Sequence, residues 1–393
     1  MSSKALKIAF VHPDLGIGGA ERLVVDAATG LKSKGHKVVI YTSHHDREHC
    51  FEETRDGSLE VRVRGNSIIP RTFFGSFYII CAILRQLHLT TSLILRDKDQ
   101  FDVIFVDQLS ASIPLLRLTG AKVPQVLYPG IHFEAYDKKV DVDDINIKIL
   151  ESSKMTILSI NRFERKKSIV LAIRAFARLR DDNMISEEQF LNMRLIIAGG
   201  YDHRVQENVD HHKELDRVAL RLELQTFTIM PGSTKYPPES AQIIFLCSFN
   251  EAQRTYLLSK SHCLLYTPSN EHFGIVPIEA MYARLPVIAC KSGGPRETIQ
   301  NDITGVLCSP TPLEFSEAIA EFISGKHDRK VMGEHGREHA QKNFSLTKFV
   351  NSLDLILMKL VQDSPRPKPL QGPLIWFSTA ITLFVFLIYQ YSY

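Results

Sequence analysis

Two glutamates, Glu271 and Glu279, stand in a stretch whose other residues give them something to do: Glu271-His272-Phe273-Gly274-Ile275-Val276-Pro277-Ile278-Glu279. The apolar run Cys263-Leu264-Leu265-Tyr266 ahead of it reads as a buried strand, and Thr267-Pro268-Ser269-Asn270 breaks that strand. After Gly274 the pattern turns helical, with Pro277 tolerated in the first turn. A strand thus ends, a loop carries a carboxylate, and a helix N-terminus follows. Free backbone N–H groups and the positive end of the helix dipole suit an anion such as a diphosphate. Carboxylates only accept hydrogen bonds, so a sugar hydroxyl is a natural target. One acid could hold a hexose and the other a ribose. A loop acid beside a solvated helix acid is the plainer alternative, and two glutamates alone do not exclude it.

Three other groupings are candidates for chemistry. Gly16, Gly18 and Gly19 lie in Asp14-Leu-Gly-Ile-Gly-Gly-Ala20, between a short strand at 7–12 and a helical pattern that runs through Leu31 and closes at Gly35. Glycines let a backbone approach a ligand closely, and they would serve a dinucleotide equally well. No acid supports that choice, because the next strand, 38–41, runs into Thr42-Ser43-His44-His45. His44, His45, His49 and Cys50 offer metal-ligand types, but no second cluster closes a site. Asp141 and Asp143 form an Asp-x-Asp triplet in a charged linker that no strand feeds, so a solvated linker is the reading there.

The Glu271-x7-Glu279 stretch resembles the signature of the retaining glycosyltransferases of family 4, which have the GT-B fold. The longer run Tyr266 to Ala280 is similar to the alpha-1,3/1,6-mannosyltransferases of dolichol-linked oligosaccharide assembly. This resemblance implies transfer of mannose from GDP-mannose to a dolichol-diphosphate-linked oligosaccharide at the cytosolic face of the endoplasmic reticulum membrane. It implies that Arg162 and Lys167, in Asn161-Arg-Phe-Glu-Arg-Lys-Lys-Ser168, hold the diphosphate. An arginine fork and a lysine point charge fit phosphate oxygens, and a merely solubilising charged turn is the alternative. Glu271 becomes the catalytic-side acid. Phe273, Gly274, Ile275 and Val276 hold mannose and phosphate through their backbone, and Glu279 holds the ribose. The glycine loop faces the diphosphate and acceptor. No metal or other cofactor is expected, and no covalent nucleophile is evident, which leaves a diphosphate-assisted substitution. Other enzymes of the same pathway are conceivable partners.

The implied fold is α/β: two Rossmann-like domains facing a cleft, over residues 1–130 on the acceptor side and 150–363 on the nucleotide-sugar side. In such relatives Val126-Leu-Tyr-Pro129 lies near the domain junction, preceded by a further strand, a histidine-bearing loop, helices and another strand. None of these is legible between Ala121 and Val126, so the first domain is expected to be incomplete, and a non-catalytic anchored isoform is the alternative function. In the second domain, strand-like runs at 227–230 and 243–247 stand where one strand is usual, an apparent insertion. A helix at 344–361 is expected to return to the first domain.

At 393 residues the chain is long enough for two domains, and a net charge of +3 without a basic patch gives no sign of nucleic-acid binding. Six scattered cysteines read as small core residues in a reducing compartment. Residues 73–84 are mostly apolar, interrupted by Arg85-Gln86 and resumed to Leu95. They read as a core helix or as a helix lying at a membrane surface. The first residues carry no secretory signal. Residues 372–393 lack charge, follow the Pro- and Lys/Arg-containing linker 364–369, and end in aromatics, which predicts a transmembrane tail with the body cytosolic.

Overall fold

The computed structural model describes residues 5–17, 19–64, 78–96, 100–107 and 127–363. They form two compact units, one reaching Gly130 and resuming at Leu346, the other spanning Ile131–Ser345.

The first unit holds β1 (Lys7–Asp14), α1 (Gly19–Ser33), β2 (Lys37–His44), β3 (Glu60–Val63), α2 (Tyr78–Arg96) and β4 (Val103–Val106). All four strands pair in parallel, in the order β3-β2-β1-β4. β1 and β2 are buried along nearly their whole length, so they are continuous apolar runs rather than alternating ones. Order 3-2-1-4 is the opening of a doubly wound sheet, and its reversal point lies between β1 and β4. β4 is the outermost strand on that side among the described residues.

The polar pair Arg85-Gln86 interrupts the apolar run but not the helix. α2 runs through both residues as one helix of 19 residues. Arg and Gln are good helix formers, and a polar pair changes a helix face without ending the helix. Leu89 and Leu93 pack with Ala9, Val11, Val39 and Tyr41 of the sheet, the core-helix reading. No helix among the described residues is long and apolar enough to cross a membrane. The expected tail at 372–393 lies outside the described residues.

The second unit contains α3 (Ile145–Lys148), β5 (Met155–Ile160), α4 (Val170–Asp181), α5 (Glu187–Leu191), β6 (Met193–Gly199), α6 (Gln206–Arg221), β7 (Thr226–Ile229), β8 (Ile243–Cys247), α7 (Glu251–Lys260), β9 (Cys263–Tyr266), α8 (Ile275–Tyr282), β10 (Val287–Cys290), α9 (Pro295–Thr298), β11 (Gly305–Cys308), α10 (Pro312–Ile323) and α11 (Arg329–Phe344). Its seven parallel strands run β11-β10-β9-β5-β6-β8-β7. Apolar clusters cover both faces, one around Phe163, Phe176 and Phe245, the other around Tyr266, Met281 and Phe344. The two strand-like runs at 227–230 and 243–247 are real neighbours, β7 pairing with β8 at one edge. The reversal point lies between β9 and β5, so the loops after these strands are where a ligand site belongs.

A last helix, α12 (Leu346–Asp363), packs in the first unit, as expected for a returning helix. Phe349, Val350, Leu353 and Leu357 are buried there with α1. Gly30 makes the contact possible, since a methyl group on it would lie 2.2 Å from a Val350 side-chain carbon. His36 Nε2 meets Asp354 at 2.9 Å and pins the helix.

All six cysteines are buried. Cys290 and Cys308 are register partners on β10 and β11, and burial pushes their thiols up to about 11 and about 12. They stay protonated and act as small core side chains.

Candidate active site

β5 ends at Ile160, and the loop behind it carries Arg162 and Lys167. β6 comes so close to this loop that a methyl group on Gly199 would sit 1.7 Å from the Asn161 carbonyl oxygen. Glycine at 199 is therefore a steric requirement. Phe163 anchors the loop by its burial, and its N–H donates to the Gly200 carbonyl at 3.1 Å. Arg162 is left reaching outward, its side chain 71% exposed with Glu164 at 3.6 Å.

β9 ends at Tyr266. Thr267 Oγ1 donates to the Lys167 carbonyl at 2.8 Å and ties the two strand-end loops together. Lys167 then pairs with Glu271, two groups 104 residues apart in the chain. Neither side chain is fully buried, at 17% and 26% exposed, so a ligand can reach both.

α8 begins behind Gly274, which has φ of 81° and gives no side-chain cap. The first N–H groups of this helix keep no capping partner from that residue. Gly274 also packs face-on to Tyr266, where a methyl group would stand 3.2 Å from the ring. Glu271 and Glu279 both bear on the Tyr266 phenol, which burial and these two charges push far above its ordinary value. The two glutamates differ in setting. Glu279 is nearly buried, accepts from the Tyr136 hydroxyl and lies 3.5 Å from Arg254. Arg254 in turn stacks over the Tyr136 ring at 4.7 Å. Burial, together with Glu279, drives the Tyr136 phenol upward, which keeps it a donor.

The turn Ser292-Gly293-Gly294 clamps the glutamate loop from the other side. Gly294 N–H donates to the Glu271 carbonyl at 2.7 Å, and Ser292 Oγ accepts from Asn270 N–H at 3.1 Å. Methyl groups on Gly293 and Gly294 would each stand 2.2 Å from a loop carbonyl oxygen, that of Glu271 and that of Phe273. Gly294→Ala is expected to displace the loop and cost about 1–3 kcal/mol, read as a lower thermal midpoint. An unchanged midpoint would mean that the loop yields freely and that the turn does not hold it.

Sequence spacing gave no hint of Tyr136 or Arg254 as parts of this arrangement. Tyr136 sits in the charged linker, where only the fold reveals its partner.

In the first unit Gly16 and Gly19 are not demanded by packing: a methyl on Gly19 would meet nothing within 4 Å, and one on Gly16 only the His49 carbonyl at 3.9 Å. Gly18 lies outside the described residues. His45 Nε2 meets Thr54 at 3.2 Å, Cys50 is buried, and Asp143 pairs with Lys148 at 2.9 Å. Among the described residues no three His, Cys, Asp or Glu side chains gather as a metal site would require.

Both sheets agree with what comparison finds. Residues 17–140 match the model of the Glycosyltransferase Family 4 family and residues 142–339 that of the Glycosyl transferases group 1 family. Among solved structures, a glycosyltransferase from Rickettsia africae superposes with a TM-score of 0.68 at 16% identity, covering 92% of this chain and all of that one. Anabaena HepE, solved with UDP and glucose, gives 0.62 at 17% identity over 90% of this chain and all of its own. These likenesses show a GT-B-like fold with parallel sheets. The alpha-1,3/1,6-mannosyltransferase of Rhizomucor pusillus is 49% identical over 93% of this chain and 94% of its own. Its human counterpart is 35% identical over 90% and 96%, and that of Saccharomyces cerevisiae 35% over 97% and 90%. The 429 aligned positions of the first exceed by several dozen the residues that 93% of this chain supplies, so that relative has residues with no counterpart here. With such cover at such identity, the chain belongs to the alpha-1,3/1,6-mannosyltransferases, a family of glycosyltransferases.

Proposed function

We propose that the second unit binds GDP-mannose at the loops after β5 and β9, and that mannose passes with retention to a dolichol-diphosphate-linked oligosaccharide. The observation that carries this reading is Lys167 against Glu271 beside the uncapped start of α8. In this reading Lys167 and Arg162 take the diphosphate, aided by backbone N–H groups from Phe273 to Val276. Glu271 accepts from mannose hydroxyls, and Glu279 accepts from the ribose through whichever oxygen Tyr136 leaves free.

The bond from the mannose anomeric carbon to the diphosphate oxygen breaks, and the electron pair leaves with GDP. The acceptor hydroxyl forms the new bond on the same face and gives its proton to the departing phosphate oxygen. Fixed cations at the leaving group lower the barrier because charge grows there in the transition state. The Gly16–Gly19 loop of the first unit, with room beside its backbone, serves the diphosphate and acceptor. A non-catalytic isoform is not favoured, since the chain matches its mannosyltransferase relatives over most of their length. Anabaena HepE was solved with a nucleotide and a hexose, and the same two classes of group are assigned here.

Lys167→Ala tests the assignment. It should weaken GDP and GDP-mannose alike by about 1.5–3 kcal/mol while leaving guanosine nearly unchanged. Equal losses for guanosine would make Lys167 a support of the fold instead.

The role in dolichol-linked assembly sets the location at the endoplasmic reticulum membrane, with residues 372–393 as anchor and the body cytosolic. Deleting 372–393 should release the protein from membranes. A full-length chain that fractionates as wholly soluble would sink the anchor. The sequon Asn343-Phe344-Ser345 must also stay unglycosylated, and a glycan there would reverse the topology.

A further inference from the structure

The second unit carries another cationic site, at the opposite end of its sheet from Lys167 and Glu271. Arg194 and Thr156 are the second residues of β6 and β5, at their N-terminal ends. A cleft of about 570 Å³ opens there, lined by Lys154, Thr156, Arg194, Lys260 and Ser261 among others. Arg194 is 6% exposed. Its guanidinium donates to Thr156 Oγ1 at 2.9 Å and to the Leu150 carbonyl, both neutral acceptors. No carboxylate pairs with it, and none pairs with Lys154 or Lys260, among the described residues. Burial pulls the Arg194 guanidinium below its ordinary value, and only the Tyr256 phenol works the other way. A nearly buried cation is costly unless an anion offsets it. Ser261, 2% exposed in the same wall, has a hydroxyl with no hydrogen-bond partner among the described residues. One χ1 rotation turns a serine hydroxyl toward a new acceptor. Among the described residues the only acid in the lining is Glu151, against three cations.

We propose that this cleft binds a phosphate group, held by the Arg194 fork, Lys154, Lys260 and the Ser261 hydroxyl, as a second anion site separate from the donor site. Strand β5 of six residues separates the two, roughly 20 Å at about 3.3 Å per residue, so one diphosphate cannot span both. A fork and two flexible ammonium groups around an orphaned donor fit the three oxygens of a phosphate monoester better than a planar carboxylate. The phosphate could arrive on a soluble molecule or on a lipid headgroup, and the chemistry of the site is the same for either.

The test uses the full chain carrying Lys167→Ala, which weakens phosphate capture at the donor site. Inorganic phosphate is titrated into it calorimetrically. Saturable binding should remain, and adding Lys260→Glu, at an exposed position, or Lys154→Glu, whose ammonium otherwise meets the Glu239 carbonyl, should weaken it by about tenfold or more. Arg194→Gln should abolish it, with thermal unfolding followed because Arg194 also holds Leu150 and Thr156. In a chain with native Lys167, Lys260→Glu should leave GDP affinity unchanged. Sedimentation with phosphatidylcholine vesicles, with and without phosphatidic acid, separates the sources. A gain from phosphatidic acid that Lys260→Glu removes assigns a headgroup, and no gain assigns a soluble phosphate. Absence of saturable phosphate binding in the Lys167→Ala chain, or binding indifferent to both lysine reversals, overturns the proposal.

Discussion

Glu271→Gln is expected to lower mannose transfer by about 10²–10³-fold while leaving GDP affinity equal or slightly higher. Two effects of the change point in opposite directions. Glutamine nearly keeps the shape, so the loop held by Gly293 and Gly294 should keep its place. The carboxylate that accepts from a mannose hydroxyl is replaced by an amide with half its acceptor capacity and no charge. Lys167, however, loses the anion it faces in the absence of ligand. Its whole charge is then available to the diphosphate, and GDP should not suffer. Transfer and nucleotide affinity therefore part company, which a purely structural role for Glu271 would not produce. Steady-state rates with GDP-mannose and calorimetry with GDP read the two quantities separately. The Lys167→Ala/Glu271→Gln pair sharpens the result, because contacting residues do not add. If Glu271 only positioned Lys167, GDP affinity would fall in Glu271→Gln as far as in Lys167→Ala, and the double change would cost no more. That outcome would remove Glu271 from the donor sugar.

The stretch from Cys263 to Glu279 was legible because strand, breaker and helix follow one another within a few residues, and each has a local signature. The same holds for Gly199, whose turn closes β6, and for the parallel strands, which are unbroken apolar runs. What stayed hidden depends on closure over long sequence distances. Lys167 finds Glu271 only because β5 and β9 are adjacent in a sheet whose order departs from the chain order. Tyr136 reaches Glu279 across 143 residues from a linker that composition marks as merely solvated. α2 was readable as a helix, but its setting was left open between the core and a membrane surface. Its polar pair interrupts hydropathy, whereas helix continuity depends on backbone propensity, and Gln86 sits fully buried with its amide unpartnered among the described residues. The resemblance to family 4 supplied ligand identities that spacing alone left open between a hexose site and a solvated acid.

Inserting a relative's segment between Lys122 and Val126 is expected to raise mannose transfer by about 10²-fold over the chain as it stands. Residues 108–126 lie outside the described residues, but both of their flanks are placed. β4 ends at Val106, and the second unit begins at Ile131. In a parallel sheet each added strand needs a crossover of about a dozen residues or more. A doubly wound sheet of order 3-2-1-4-5-6 would need two. The alignment with the Rhizomucor relative requires unmatched positions in that relative, which fits a segment missing here. The resemblance implies that such a segment brings a histidine-bearing loop to the acceptor side. Donor binding by the second unit should survive its loss, whereas the geometry of attack should not, since positioning accounts for much of such a reaction. Both chains are given GDP-mannose and a mannosylated chitobiosyl lipid acceptor, with GDP affinity and oligomeric state measured alongside. Faster transfer by the lengthened chain at equal GDP affinity is the supporting result. Equal turnover by both would show that this member of the family builds its acceptor wall from the residues it already has.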